Sequence, residues 1–194
     1  MTKFILHGGV TRRRNVRNRN FYAEMLKGEK EPLKILLVFF ARYRKQWKES
    51  AAETEMRFRR MSKKKLIFTI ADPNEEKLAR QIKENDVIYL AGGWTLGLYR
   101  RLKPVKNLKK LFNGKVVAGS SAGAIVLSKY YYDQDHGRIF DGLGFLPVKM
   151  ITHYKCRGEY ADESGEDKLN LLENHKEKLP IYAIRETEFV VVEK

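Results

Sequence analysis

Two adjacent serines lie between glycines in the stretch "GSSAG" at residues 119–123, which matches the pattern G-x-S-x-G with Ser121 at its centre. Residues 115–118 before it, a lysine followed by three apolar residues, predict a strand, and "AIVLSKY" after it predicts a helix. Such a turn raises its central hydroxyl out of the sheet and requires small neighbours, because the backbone is crowded there. The pattern favours Ser121 over Ser120 as a nucleophile, and a glycine-serine turn without chemistry is the alternative.

A nucleophilic serine needs N–H donors for the oxyanion that forms during acyl transfer. The N–H of Ala122 lies at the start of the predicted helix, where negative charge is favoured. Gly92 and Gly93 end the preceding predicted strand, and a glycine pair lets a backbone N–H approach a ligand closely. We therefore expect the second donor to be the N–H of Gly93 or Trp94.

The serine also needs a general base, and His153 is the preferred histidine. It directly follows the predicted strand at residues 148–152. Ligands of parallel α/β sheets bind beyond the carboxyl ends of the strands, so a base is expected at this edge. The other histidines lie in a polar helix, in a polar loop and at the end of the first strand, and they are His175, His136 and His7.

Two carboxylates compete as the acid that orients this base. Glu186 follows the predicted strand "IYAIR" and so lies at the same sheet edge as His153. Asp135, or its neighbour Asp133, lies between Ser121 and His153 in a loop whose path the sequence does not define. Position favours Glu186, and both readings stay open.

The elements that must position these residues alternate between strands and helices. This alternation predicts a mostly parallel sheet with helices on both faces. Strands are predicted at residues 3–7, 33–41, 66–70, 87–90, 115–118 and 148–152, followed by a strand, a turn and a strand at 181–194. Helices are predicted at residues 20–27, 46–61, 95–102, 108–112 and 167–178, and another begins with Asp72 as N-cap and Pro73 as its first residue.

The charge balance offers a second function. The formal net charge is +15, and arginine and lysine cluster in the first third of the chain. Such clusters can bind phosphate backbones, so the alternative is a non-enzymatic module that binds nucleic acid or an acidic partner. A solvated basic face is favoured over nucleic acid, because no zinc-finger, RNA-recognition or helix-turn-helix motif accompanies the charge.

The composition also indicates whether a membrane, a disulfide or a metal is expected. No apolar run approaches the roughly 18 residues that cross a bilayer, and no secretory signal is recognisable, which favours a cytoplasmic protein without a membrane partner. The single cysteine, Cys156, excludes an intrachain disulfide and a multi-cysteine zinc site. No metal or other cofactor is expected, and a homodimer is left open.

Four segments together resemble one family, the dipeptidase E and cyanophycinase-like serine peptidases. They are "AGGWT", "GSSAGA", "FDGLGFLPVKMITHY" and "IYAIRETEFVVVE" in this order, and the N-terminal "LHGG" is similar to the family's first strand. The resemblance implies a three-layer, flavodoxin-like α/β fold related to class I glutamine amidotransferases, as a single domain at residues 1–194. It implies Ser121 as nucleophile and His153 as base, with Glu186 or Asp135 as the third member.

The departures from the family pattern concern the substrate. Trp94 follows the glycine pair where asparagine is common, and Arg185 stands where an acidic residue is common. The expected function is a serine-type hydrolase, dipeptidase-like, that cleaves small peptides through an acyl-enzyme on Ser121. Three arginines near the motif segments are candidates for binding a substrate carboxylate, namely Arg138, Arg157 and Arg185.

Overall fold

The computed structural model describes residues 1–28, 30–156 and 165–194. The strands are β1 (Lys3–His7), β2 (Leu33–Val38), β3 (Leu66–Ile70), β4 (Val87–Leu90), β5 (Val116–Ser120), β6 (Ser128–Asp133), β7 (Arg138–Asp141), β8 (Leu146–Thr152), β9 (Ile181–Ile184) and β10 (Phe189–Glu193). The helices are α1 (Val16–Met25), α2 (Trp47–Arg59), α3 (Glu75–Glu84), α4 (Thr95–Leu102), α5 (Leu108–Leu111), α6 (Ala122–Ile125) and α7 (Gly165–Asn174), and a short 3₁₀ turn precedes α2 at Arg44–Gln46.

Within these residues the strands form two sheets, whereas the sequence predicted one. The larger sheet has the order β10-β1-β5-β4-β2-β3, and only its edge strand β10 runs antiparallel to its neighbour. The smaller sheet has the order β7-β6-β8-β9, and only β7 runs antiparallel. The predicted α/β class with mostly parallel strands is therefore confirmed.

Both faces of the larger sheet are covered, and this explains the continuous apolar runs in its strands. On β2, Ile35 and Leu37 face one core and Leu36 and Val38 face the other. The first core is closed by α1 and α2, whereas α3 and α4 cover the opposite face. The predicted placement of helices on both faces follows from this alternation.

The smaller sheet includes residues for which the sequence predicted a helix. The predicted helix "AIVLSKY" is wrong beyond Ile125. Helix α6 ends there, and the next residues form strand β6. The Ser128 hydroxyl lies 2.7 Å from the Ile125 carbonyl and 2.8 Å from that of Tyr130, and so it bridges the end of the helix and the strand. Three consecutive tyrosines then favour extended backbone, since aromatic side chains suit a half-buried pleated surface.

Several predicted boundaries differ from the structure. Helix α1 spans Val16–Met25 rather than residues 20–27, and α7 spans Gly165–Asn174 rather than residues 167–178. Two other differences have a clear local cause. The N-cap of α3 is Asn74, whose side chain accepts the N–H of Lys77 at 3.1 Å, and Asp72 instead accepts the N–H of Asn74. Strand β2 ends at Val38 rather than at residue 41, because a turn follows in which the Arg42 N–H donates to the Phe39 carbonyl at 2.8 Å. No helix in the described part of the chain is both long and apolar enough to span a membrane.

The aromatic core beneath α2 gives the first prediction. Phe58 is fully buried against the rings of Tyr22, Phe68 and Tyr89. We expect Phe58→Ala to lower the free energy of unfolding by about 3–5 kcal/mol, because it leaves a cavity in a well-packed core. Met56→Ala, on the exposed side of the same helix, is the control and should cost about 0.5 kcal/mol or less. Urea denaturation of both variants measures the difference, and equal losses would contradict this description of the core.

Candidate active site

Ser121 occupies the turn between β5 and α6 in a conformation that is rare for a residue with a side chain. Its φ is 51° and its ψ is −116°, outside the usual regions for non-glycine residues. Its N–H donates to the carbonyl of His7 at 2.9 Å, which fixes the turn against the end of β1. Backbone strain of this kind persists only where surrounding contacts impose it, and it is common at functional sites.

The structure brings the side chains of Ser121, His153 and Glu186 together, and we call these three residues the triad. The Nε2 atom of His153 lies 3.0 Å from the Oγ of Ser121, and its Nδ1 lies 3.2 Å from the Oε1 of Glu186. The His153 and Glu186 side chains are only 13% and 15% exposed. A hydroxyl, an imidazole and a carboxylate joined in this order can activate the hydroxyl as a nucleophile.

Three successive backbone carbonyls at the end of β1 hold the three triad segments in place. The carbonyl of His7 accepts the N–H of Ser121, and that of Gly8 accepts the N–H of His153 at 3.0 Å. The carbonyl of Gly9 accepts the N–H of Thr187, which directly follows Glu186, also at 3.0 Å. Residues 7–9 therefore connect the larger sheet, which carries the serine, to the loops after β8 and β9.

The two competing acids, Asp133 and Asp135, have different surroundings. Asp133 is buried, and its carboxylate accepts the backbone N–H and the ring of His136 at 3.1 and 2.8 Å. It therefore stabilises the turn between β6 and β7. Asp135 lines the same cleft as Ser121 and His153, whereas the Nδ1 of His153 is hydrogen-bonded to Glu186.

The geometry of the glycine pair distinguishes between Gly93 and Trp94 as the candidate N–H donor for the oxyanion. The Trp94 N–H donates to the Ala41 carbonyl at 2.8 Å, so it is already engaged. Gly93 has a φ of 141°, and a Cβ atom there would lie 2.2 Å from the Ala41 carbonyl oxygen, so only glycine fits. A Cβ on Gly92 would lie 3.2 Å from the Cβ of Ser121, which places this turn directly beside the serine. Gly93, rather than Trp94, is thus the donor that the geometry favours, together with the first-turn N–H of Ala122.

A cleft of about 1310 Å³ opens over Ser121 and His153. Trp94 lines the cleft and is half exposed, with its ring against Gly97 and with the Arg100 guanidinium 5.7 Å from the ring centre. The indole therefore lies along α4 and leaves the cleft open. The charged side chains that line it are Arg12, Arg42, Arg44, Arg101, Glu49, Glu53 and Asp135.

Two of the three arginines expected to bind a substrate carboxylate lie away from the cleft wall. The Arg138 guanidinium lies 4.7 Å from the centre of the Phe140 ring on β7. In the described part of the chain, neither Arg138 nor Arg185 belongs to the cleft wall. Arg157 lies outside the described residues. No group of three or more potential metal ligands occurs among residues 1–28, 30–156 and 165–194.

The sequence did not assign a role to His7, which the structure buries behind the triad. Its Nδ1 accepts the N–H of Gly9 at 3.0 Å, so the ring proton lies on Nε2, which donates to Asn18 Oδ1 at 2.8 Å. The Asn18 amide in turn donates to the carbonyls of Val10 and Arg13. His7 and Asn18 thus fix the loop that holds the triad, and burial lowers the pKa of His7 to about 4.

The overall fold is similar to that of two solved structures. A crystal structure of a peptidase from an acI-B1 Actinobacterium has a TM-score of 0.69 at 18% identity, with 99% of this chain and 83% of that chain covered. A crystal structure of a putative peptidase E protein from Listeria monocytogenes EGD-e has a TM-score of 0.66 at 16% identity, with 100% and 99% covered. At these identities the likeness establishes the fold.

The sequence itself carries the family signature. It matches the model of peptidase family S51 over residues 4–194, so the chain belongs to that family. This membership confirms the resemblance to the dipeptidase E family that the four segments indicated. No curated protein matches the sequence.

The neutral state of His7 predicts a pH dependence of stability. The pKa is about 4 in the folded chain and 6.5 for a free side chain, so the unfolded chain binds more protons between these values. Stability should therefore fall as the pH falls from about 6.5 to 4, with a contribution from this group of about 2–3 kcal/mol. In His7→Asn this part of the acid dependence should be absent. Urea denaturation from pH 7.5 to 4.5 measures it, and parallel curves for the two proteins would contradict the assignment.

Proposed function

We propose that this peptidase family member is a serine hydrolase that cleaves small peptides through an acyl-enzyme on Ser121. The observation that carries the proposal is the pair of hydrogen-bond distances from His153, 3.0 Å to Ser121 Oγ and 3.2 Å to Glu186 Oε1. A nucleophile within reach of a base, and a base oriented by an acid, is the arrangement that activates serine.

In the first half of the reaction the Oγ of Ser121 attacks the carbonyl carbon of the scissile amide. His153 takes the hydroxyl proton on Nε2, and Glu186 stabilises the imidazolium through Nδ1. The N–H groups of Gly93 and Ala122 hold the negative oxygen of the tetrahedral intermediate. The carbon–nitrogen bond then breaks, and the leaving amine takes its proton from His153.

The second half repeats these steps with water. His153 removes a proton from the water as its oxygen attacks the acyl carbon. The same two N–H groups hold the oxyanion, and the bond to Ser121 breaks with return of a proton to Oγ. The products are an amine and a carboxylic acid, and the enzyme regains its starting protonation state.

The cleft supports small peptides as the substrate class. It carries glutamate side chains and arginines other than Arg42 on its walls, which suit the charged termini of a short peptide. Trp94 lies along α4 at its edge, so it narrows the cleft without closing the approach to Ser121. A recessed serine of this kind is more accessible to a short peptide than to a folded protein.

The alternative of a nucleic-acid-binding module is less favoured. Its motivation was the arginine-rich N-terminal third, but several of those side chains pair with carboxylates of the same chain. The pairs are Arg12–Glu53, Arg13–Glu186, Arg17–Glu188, Arg57–Glu53 and Arg59–Glu55. Each pair reduces the positive charge that a phosphate backbone would meet.

A dipeptide-library hydrolysis screen tests the proposal. Ser121→Ala should lower kcat by about 10⁴-fold or more on any dipeptide that the wild type cleaves, because the triad then lacks its nucleophile. Ser120→Ala is the matched control, since this neighbour is buried at the end of β5, and it should retain activity within about tenfold. Retained hydrolysis in Ser121→Ala would refute the assignment.

Paired amide variants identify the acid. Glu186→Gln should lower kcat by about 10²- to 10⁴-fold with little change in KM, since the imidazole then loses the carboxylate that stabilises its charged form. Asp135→Asn should change kcat by about threefold or less. Steady-state kinetics of both variants on the same dipeptide measures this. A larger loss in Asp135→Asn than in Glu186→Gln would exchange their roles.

A further inference from the structure

Arg42 lies beneath the glycine turn and contacts it through a single donor. Its Nε donates to the carbonyl oxygen of Gly92 at 3.2 Å, and its Nη1 donates to the Oγ of Ser50 on α2 at 2.7 Å. Ser50 is buried and Arg42 is half-buried. The guanidinium therefore connects a rigid helix to the carbonyl of one particular peptide group.

That peptide group is the one that carries the Gly93 N–H. The Gly92 carbonyl and the Gly93 N–H belong to the same planar unit, and in a trans peptide they point in opposite directions. A donor that holds the carbonyl on one side therefore fixes the direction of the N–H on the other side. Glycine pairs rotate readily, so this peptide would otherwise have access to a flipped orientation.

The surroundings of Arg42 show that its position is fixed from several sides. Its own N–H donates to the Phe39 carbonyl at 2.8 Å, and its carbonyl accepts the indole N–H of Trp47 at 3.1 Å. Its guanidinium carbon lies 5.6 Å from the centre of the Phe39 ring. The next peptide is fixed separately, because the Trp94 N–H donates to Ala41.

An ion pair does not account for this placement. Among the described residues, no carboxylate lies within 4.0 Å of the Arg42 guanidinium, and both of its side-chain hydrogen bonds go to neutral oxygens. Burial lowers the pKa of Arg42, although an arginine stays charged at neutral pH. No direct contact with a carboxylate of the described residues therefore offsets the cost of burying this charge, and Glu53 acts on it only from a distance.

We propose that Arg42 is a positioning residue that holds the Gly92–Gly93 peptide with the Gly93 N–H directed at the oxyanion. This inference rests on the proposed function, since it assigns a support to the donor used in that mechanism. Arg42 acts through the peptide and not on the substrate. Its loss should slow the chemical step and leave the binding of the substrate unchanged.

The test uses a fluorophosphonate probe, which needs no knowledge of the natural substrate. Its phosphoryl oxygen takes the place of the oxyanion as Ser121 Oγ bonds to phosphorus and fluoride leaves. Loss of an oxyanion donor costs about 10²- to 10³-fold in rate, and a misdirected donor should cost less. We expect Arg42→Met to lower the saturating labelling rate by about 10- to 100-fold and to change the half-saturating probe concentration by less than about threefold.

Two further variants control for indirect effects. Arg59→Met makes the same chemical change at the exposed end of α2, outside the cleft, and should label like the wild type. Ser50→Ala leaves the bond to Gly92 in place but removes its anchor, so its labelling rate should lie between those of the wild type and Arg42→Met. If Arg42→Met does not fold, as judged by thermal unfolding, Arg42→Lys replaces it and should also show a lower saturating rate.

The outcomes separate this inference from the function on which it rests. A raised half-saturating concentration with an unchanged saturating rate would make Arg42 a binding residue and overturn the proposal. Unchanged labelling in both respects would overturn it as well, with the proposed function intact. A wild type that is not labelled, or a Ser121→Ala protein that is labelled, would refute the proposed function and the inference together.

Discussion

The geometry of the site depends on three consecutive carbonyls at the end of one buried strand. His7, Gly8 and Gly9 accept the N–H groups of Ser121, His153 and Thr187. The three acceptors belong to one short segment, so Ser121, His153 and Glu186 are positioned relative to the same stretch of backbone. Residue 9 must be a glycine in this arrangement, because a Cβ atom there would lie 2.3 Å from the His153 ring.

Buried polar groups stabilise this segment from behind. The neutral His7 ring and the Asn18 amide satisfy one another and the loop after β1, in a region that excludes water. Arg42 does the same for the glycine turn on the other side of Ser121. In both places a polar side chain fixes backbone close to the triad, and satisfied hydrogen-bond networks of this kind make a local conformation rigid.

Sequence reasoning succeeded where elements were long or strongly patterned. The strands at residues 66–70 and 87–90 and the helix at 95–102 have the predicted bounds, since short apolar runs and a regular apolar face leave few alternatives. It failed at residues 128–130, because a short segment that begins apolar after a turn fits a helix and a strand equally well. The second sheet could not be predicted, since strand pairing is set by distant partners such as β8 and β9.

Some residues of the candidate site could likewise be predicted from the sequence, and others could not. The positions of Ser121, His153 and Glu186 follow from motifs at strand ends, and the structure places their side chains in contact. His7 acts through a hydrogen bond from the backbone N–H of Gly9, and Arg42 acts through a hydrogen bond to the carbonyl of Gly92, 50 positions away. No pattern in the sequence indicates either contact.

The central claim is that Ser121 forms a covalent intermediate, and the most direct measurement is the location of a trapped adduct. The wild-type protein is treated with a fluorophosphonate and digested after lysine, which releases residues 116–129 as one fragment containing Ser120, Ser121 and Ser128. Tandem mass spectrometry should find one phosphonyl group, on Ser121. An adduct on any other residue, or no adduct on a folded protein, would contradict the account.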